Sequence, residues 1–373
     1  MKKGLPLHAA APFLTTRHTP EAKRHGGGTI VKASSSQDTQ KHTTTIKRKA
    51  KNITYPYTIK AALADHTRDE LKEMGDVLHI EIKSADKKQE RIDKLYAGMT
   101  GNHRIERCLL CMQDEEWQLL GTLVSYETAC PLDTDAGLPA LAVNGYLGCD
   151  ADGHIVIPQE IKTCFQAVQN DEFQLRRQKM RWLQQCLAMA GNLYGIMPLH
   201  VLVAMYNRNR DFQSNALEIN SMMQLIPETM RTYFIIAGLI CDIQMTEENV
   251  LALMHDRTTN VYYIPAQSET ENAAAGNIIY FNSAMVKQGM AKLLKYTSLS
   301  KQQTLNVMGD IIDEMASGWS AADIIEEMQN MQITIRKGDK KRLQELFAEW
   351  NCCTKKWINC GYSDEEMARR QRR

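Results

Sequence analysis

Aromatic residues are scarce in this chain of 373 residues: Phe, Trp and Tyr together make 7% of it. Long apolar runs are missing as well. The longest, Tyr233 to Cys241, is about half of the ~20 residues that a transmembrane helix needs, which excludes a helical membrane span. The opening MKKGLPLHAAAPFLTTRH has charge but no apolar core of a secretory signal. Ten cysteines in a chain without such a leader read as reduced thiols of the cytoplasm. The nucleotide patterns G-x-x-x-x-G-K-[ST] and G-x-G-x-x-G are absent, as is the zinc-protease pattern H-E-x-x-H. His25-Gly26-Gly27-Gly28 has the look of an esterase oxyanion loop, but no G-x-S-x-G elbow accompanies it. Four of the ten histidines lie within the first 51 residues, and spacing nominates no acid–base pair. The expectation is a protein that is not an enzyme and carries no cofactor.

What remains is an ordinary soluble balance of 43% apolar and 24% charged residues, with 20 Met as flexible core filler. The length suits two or three domains of ~100–200 residues. A net charge of +1 conceals a polarity. Residues 1–51 carry eleven Lys and Arg against Glu21 and Asp38, which leaves +9 there and −8 on residues 52–373. A basic arm on an acidic body suits the binding of polyanions, and it is also what a solvated leader looks like. Residues 1–52, rich in Thr, Ser, His, Lys and Gly, have too little apolar surface to offset their ordering entropy and read as disordered.

Residues 57–98 read as a compact two-helix unit. Thr67 with Glu70 forms a capping box, and Leu71, Met74, Val77 and Leu78 follow as an apolar stripe. An extended link, HIEIKSAD, leads to a second helix with Gln89, Ile92 and Leu95 at helical spacing. The run LADHTRDELKEMGDVLHIEIKSADKKQERIDKL resembles the helix-extension-helix modules of the SAP and Rho N-terminal type through Lys87, Lys88, Glu90, Ile92 and Leu95. That resemblance implies nucleic-acid phosphates at the start of the second helix, near Lys87, Lys88 and Arg91. The physics agrees, because helix amino termini and lysines both favour anions. A plain helical hairpin with solvated lysines is the alternative.

Residues 103–170 read as two helices, a further helix ending near Gly145, and a hairpin whose second strand, His154 to Ile157, stops at Pro158. Residues 171–270 repeat the plan: helices at 182–193, 198–206 and 214–225, then YFIIAGLICDI, which parallels LAVNGYLGCD, and VYYIPAQ, which parallels IVIPQEI. The pairing is read as an internal duplication of winged-helix-like units, three short helices closing on a hairpin. Residues 271–373 read as a helical domain. Ser300, Ser320 and Asp339 are its expected helix caps. Its last long helix carries the stripe Leu343, Leu346, Phe347, Trp350, Cys353 and Trp357, with Gly361 as its C′ residue. The fold class expected is mainly α: a helix-extension-helix module, winged-helix-like α+β units and a C-terminal helical domain.

The ending is similar to that of a family of uncharacterised proteins from Gram-positive bacteria, whose pattern W-x3-G-[YHW]-[ST]-P-x-E falls here on Trp357, Gly361, Tyr362, Ser363, Asp364 and Glu366, followed by Met367. Asp364 stands where the family has proline. The resemblance implies a Rho-N-like module followed by helical, winged-helix-like regions and gives no activity. The family's cysteine-rich SEC-C zinc motif is missing from this sequence, which ends in RRQRR.

Other metal patterns are incomplete. Cys108 and Cys111 have C-x-x-C spacing without a second pair, and Cys352, Cys353 and Cys360 have no histidine beyond His255. Asp150-x-Asp152-Gly153 and Asp133-x-Asp135-x-Gly137 lack the further carboxylates of a calcium loop and read as turns. Basic residues gather at Lys47, Arg48, Lys49 and Lys51, at Arg176, Arg177, Lys179 and Arg181, and at Arg369, Arg370, Arg372 and Arg373. The functional expectation is therefore a nucleic-acid-binding regulatory protein, of DNA before RNA, with Lys47, Arg48, Lys49, Lys51, Lys87, Lys88 and Arg91 at the phosphates. The rival expectation is a helical adaptor for a protein partner.

Overall fold

The computed structural model describes residues 55–130, 137–150, 152, 154–274 and 283–372. They form a mainly α structure of seventeen α-helices with two small antiparallel sheets, the class expected. Among the described residues no helix is long and apolar enough to cross a membrane. They divide into two compact units. The first holds the described residues up to Gln178 together with Leu225–Met230; the second holds Lys179–Gln224 and those from Arg231 on.

The first unit opens with α1 (Ile59–Ala64), α2 (Arg68–Val77) and α3 (Lys88–Thr100). The sequence reading counted two helices here. The additional α1 exists because Thr58 caps it, its hydroxyl accepting from the Ala61 amide at 3.1 Å, and because Ile59 and Leu63 bury together one turn apart. Thr67 and Glu70 form the expected capping box on α2. The link between α2 and α3 needs two glycines beneath it. A Cβ on Gly75 would stand 2.5 Å from Ile82 Cγ1, and one on Gly98 would stand 2.6 Å from Ile80 Cδ1.

Beyond the module come α4 (Arg104–Leu110), α5 (Asp114–Leu123), α6 (Pro139–Val143), the hairpin β1 (Gly148–Cys149) and β2 (Ile155–Val156), and α7 (Gln159–Ala167). Cys130 bridges to Ile155, so β2 lies between β1 and that bridge. Buried Glu116 fastens two helix starts at once: its carboxylate accepts from the Gln113 amide at 2.9 Å and the Ala140 amide at 2.8 Å. Burial drives its pKa above the usual carboxyl range, although both amides and Arg177 pull it back.

α8 (Asp171–Tyr194) leads into the second unit, followed by β3 (Ile196–Pro198), α9 (Leu199–Tyr206), α10 (Ala216–Leu225), β4 (Tyr233–Ile236) and β5 (Leu239–Asp242). The strands are antiparallel in the order β3-β5-β4, and Ala237 and Gly238, both with positive φ, make the hairpin turn. The duplication is corrected in its details. Cys149 lies on the first strand of its hairpin and Cys241 on the second, and no strand forms at 261–266. There the backbone is drawn to another partner: the Thr258 and Tyr263 amides donate to the carbonyls of Ile358 and Cys360. What recurs is sheet order, with the hairpin's last strand in the middle both times.

After α11 (Glu247–Asp256) and α12 (Gln267–Ala274), four helices pack around one core: α13 (Ser283–Tyr296), α14 (Lys301–Ser317), α15 (Ala321–Asn330) and α16 (Lys340–Cys353). Leu293, Met308, Ile311, Met315, Phe347 and Trp350 are its centre. Ser300 and Ser320 cap α14 and α15 as expected. Asp339 instead turns its carboxylate to Arg342 at 2.9 Å. The long helix also stops earlier than its periodicity implies, at Cys353. Trp357 lies outside it, its indole donating to the Asn192 carbonyl at 3.0 Å and its ring lying against Gly195. Gly361, with φ +83°, serves a tight turn against the Tyr194 ring and not a helix cap. Ser363 and Glu366 then form a capping box on α17 (Asp364–Gln371).

Candidate nucleic-acid interface

The loop before α3 is fixed from below by a buried guanidinium. Arg91 is 3% exposed, and it donates through Nε to the Asp86 carbonyl at 3.0 Å, through one terminal nitrogen to Arg68 O at 2.5 Å and through the other to Ser84 O at 2.8 Å. Arg68 adds a second donor to the Asp86 carbonyl at 3.0 Å. The Asp86 carboxylate accepts from the Lys83 amide and the Lys94 ammonium, both at 2.7 Å, and the Lys94 bond holds its pKa below the usual range. Arg91 therefore faces inward. Its charge is spent on the loop, and it offers no surface to phosphate. One-letter periodicity gave no sign of this, because arginine at a polar helix position reads as solvated.

Lys87, the residue that caps the thirteen-residue α3, and Lys88, its first residue, are both exposed. The Lys88 ammonium donates to the Ala64 carbonyl at 2.6 Å, which leaves two of its three donors over. The Lys87 amide is closed by the Glu90 carboxylate at 2.8 Å. The structure thus sets Lys87 and Lys88 side by side and takes Arg91 away from them. Lys47, Arg48, Lys49 and Lys51 lie outside the described residues.

The second basic group is not one surface. Arg177 is 5% exposed, lies 4.1 Å from the centre of the Trp117 ring and donates to the Met112 carbonyl at 3.1 Å. Burial pulls its pKa down to about 10. Arg176 pairs with Glu106 at 3.4 Å. At the chain's end Arg369 pairs with Glu365 at 3.0 Å, and Arg370 stacks on the Tyr362 ring while donating to its hydroxyl. On α10, the helix a winged-helix plan would place in a groove, the exposed residues are Ala216, Leu217, Glu218, Ser221 and Gln224. None is cationic.

Cys108 and Cys111 are both buried, and burial pushes their thiols up, Cys111 to about 12. Among the described residues one group of three donors lies close enough to share an ion: Asp150, Asp152 and His154, within 4.8 Å of one another. The backbone explains it. Asp150 Oδ1 accepts from the Asp152 amide at 2.9 Å and the His154 amide at 2.8 Å, and Oδ2 lies 3.1 Å from His154 Nδ1, so the carboxylate organises the turn expected there. Compared with known proteins, the chain matches no family model, no curated protein and no solved structure.

Proposed function

We propose that the chain is a non-enzymatic nucleic-acid-binding protein that works through phosphate contacts, with DNA preferred to RNA. The observation that carries this is the start of α3, where Lys87 and Lys88 stand exposed on a loop locked from beneath by Arg91. A fixed loop loses little freedom on binding, and a helix amino terminus bearing two cations favours an anion. The basic arm of residues 1–51, at +9, supplies further charge. Support for DNA comes from the second unit. Its helix–strand–helix–helix–hairpin connectivity with order β3-β5-β4 supports a winged-helix-like reading, a plan used in duplex recognition. Since α10 has no exposed cation, phosphate contact would come from the start of α3 and the basic arm.

A salt titration is the test. Affinity of the full chain for labelled duplex DNA and RNA should fall steeply from ~50 to ~200 mM salt, as released counterions require. Lys87→Glu with Lys88→Glu should weaken binding and leave the fold intact. Absence of salt-sensitive binding at micromolar protein overturns the reading. A second reading, a helical adaptor, is favoured by Leu217 on α10, 76% exposed, and Ile235 on β4, 55% exposed. Exposed apolar residues of this size suit a protein partner. A flat salt response with both nucleic acids would leave that reading standing.

A further inference from the structure

The nine residues from Asn207 to Asn215 join α9 to α10 and are held by their own side chains. Asn207 closes the turn from both sides, accepting from the Ser214 amide at 2.8 Å and donating to the Ser214 carbonyl at 2.9 Å. The Gln213 amide donates to the carbonyl of Asn209 at 2.6 Å and to that of Asn207 at 3.2 Å. Asn209 is 5% exposed, its side chain accepting from the Asp211 amide at 2.9 Å. The entry to the turn is pinned as well, since the Trp182 indole donates to the Tyr206 carbonyl at 2.8 Å. Arg208 and Arg210 flank buried Asn209, and both are exposed. Among the described residues neither guanidinium has an ion-pair or hydrogen-bond partner. The neighbouring acids are Asp211 and Glu218, both exposed, and Glu218 is engaged by the Ser214 hydroxyl at 2.7 Å.

Among the described residues, Arg91 and Arg177 donate to backbone carbonyls and Arg369 pairs with Glu365 on the surface. A stiff turn that presents two arginines without partners has no evident use in folding. Guanidinium groups are matched to phosphate oxygens, and little ordering entropy is lost when their backbone is already fixed. We infer that the α9–α10 turn is a second phosphodiester-contact site, in which Arg208 and Arg210 each take a backbone phosphate of a nucleic acid. This rests on the nucleic-acid reading above and adds to it a contact made by residues of the second unit.

The test compares full-length wild type with the doubles Arg208→Ala/Arg210→Ala and Arg208→Lys/Arg210→Lys on one labelled DNA duplex. Two lost phosphate contacts should flatten the slope of log affinity against log salt by about 1.8. Between ~50 and ~200 mM salt, wild type should then lose about 12-fold more affinity than the alanine double. The lysine double should keep the wild-type slope. Asp211→Asn, which removes an exposed anion one residue from Arg210, should tighten binding. An alanine double with the wild-type slope overturns this site and leaves the nucleic-acid reading in place, whereas a wild type with no salt-sensitive binding overturns both. Unchanged circular dichroism and melting temperature of the doubles would assign the effect to the surface.

Discussion

Removing the Arg91 side chain would take three charged donor bonds from this loop, leaving the Ser84 and Asp86 carbonyls with Arg68 alone and the Arg68 carbonyl without its guanidinium partner. Hydrogen bonds from a charged group contribute ~1.5–3 kcal/mol, so Arg91→Ala should lower stability by about 2–3 kcal/mol, read as a shifted urea midpoint. Lys87→Ala, on the surface, should stay within ~0.5 kcal/mol. The same letter class thus divides into a staple and a contact residue on burial alone. Glu116 gives a prediction of opposite character. Its folded-state pKa lies above the ordinary 4.5, burial being the first cause, so the folded chain holds this proton more tightly than the unfolded chain does. Its contribution to stability therefore grows as pH falls through the folded value toward 4.5 and is lost as pH rises through that value. Measured against Glu116→Gln, wild type should gain in urea midpoint between pH 7 and pH 5; a constant difference would remove the assignment.

Among elements, most of those with local causes are legible from sequence, the short α1 being the exception, and those with distant causes are not. Thr67, Ser300, Ser320 and Ser363 each sit three residues before a side chain that closes a capping box, and the pattern needs nothing else. The stripe Leu343, Leu346, Phe347 and Trp350 faces the core for the same reason. The end of α16 was misread because Trp357 keeps apolar spacing with that stripe while its partners, Asn192 and Gly195, come from far back in the chain. Two helical glycines measure the same distinction. A Cβ on Gly309 of α14 meets nothing within 4 Å, so Gly309→Ala should stabilise by roughly 0.5–1 kcal/mol through the unfolded chain alone. A Cβ on Gly289 of α13 would stand 1.8 Å from the Trp350 ring, and there the same change should cost about 1–3 kcal/mol by overpacking. Thermal melts of the two variants should move in opposite directions. Equal shifts would mean that the Trp350 ring yields.

Over the whole chain, the +9 of residues 1–51 against −8 elsewhere makes a long-range argument that no single site replaces. Composition made that polarity visible, but the net charge of a segment says nothing of which cations face outward. That is why Arg91 entered the expected contact set with Lys87 and Lys88 although its burial removes it. Arm and body make separable predictions. Reversing Lys47, Arg48, Lys49 and Lys51 to Glu removes up to four phosphate contacts and should flatten the salt slope by as much as ~3.6 on duplex DNA. Deleting residues 1–51 leaves a chain of −8, so its residual affinity should be weak and should come from Lys87, Lys88, Arg208 and Arg210. When arm deletion and Arg208→Ala/Arg210→Ala are made together, their slope changes should add, because independent phosphate contacts release counterions independently. A combined change smaller than the sum would mean that arm and turn take the same phosphates. Slopes untouched by the arm deletion would assign all salt-sensitive contact to residues 52–373.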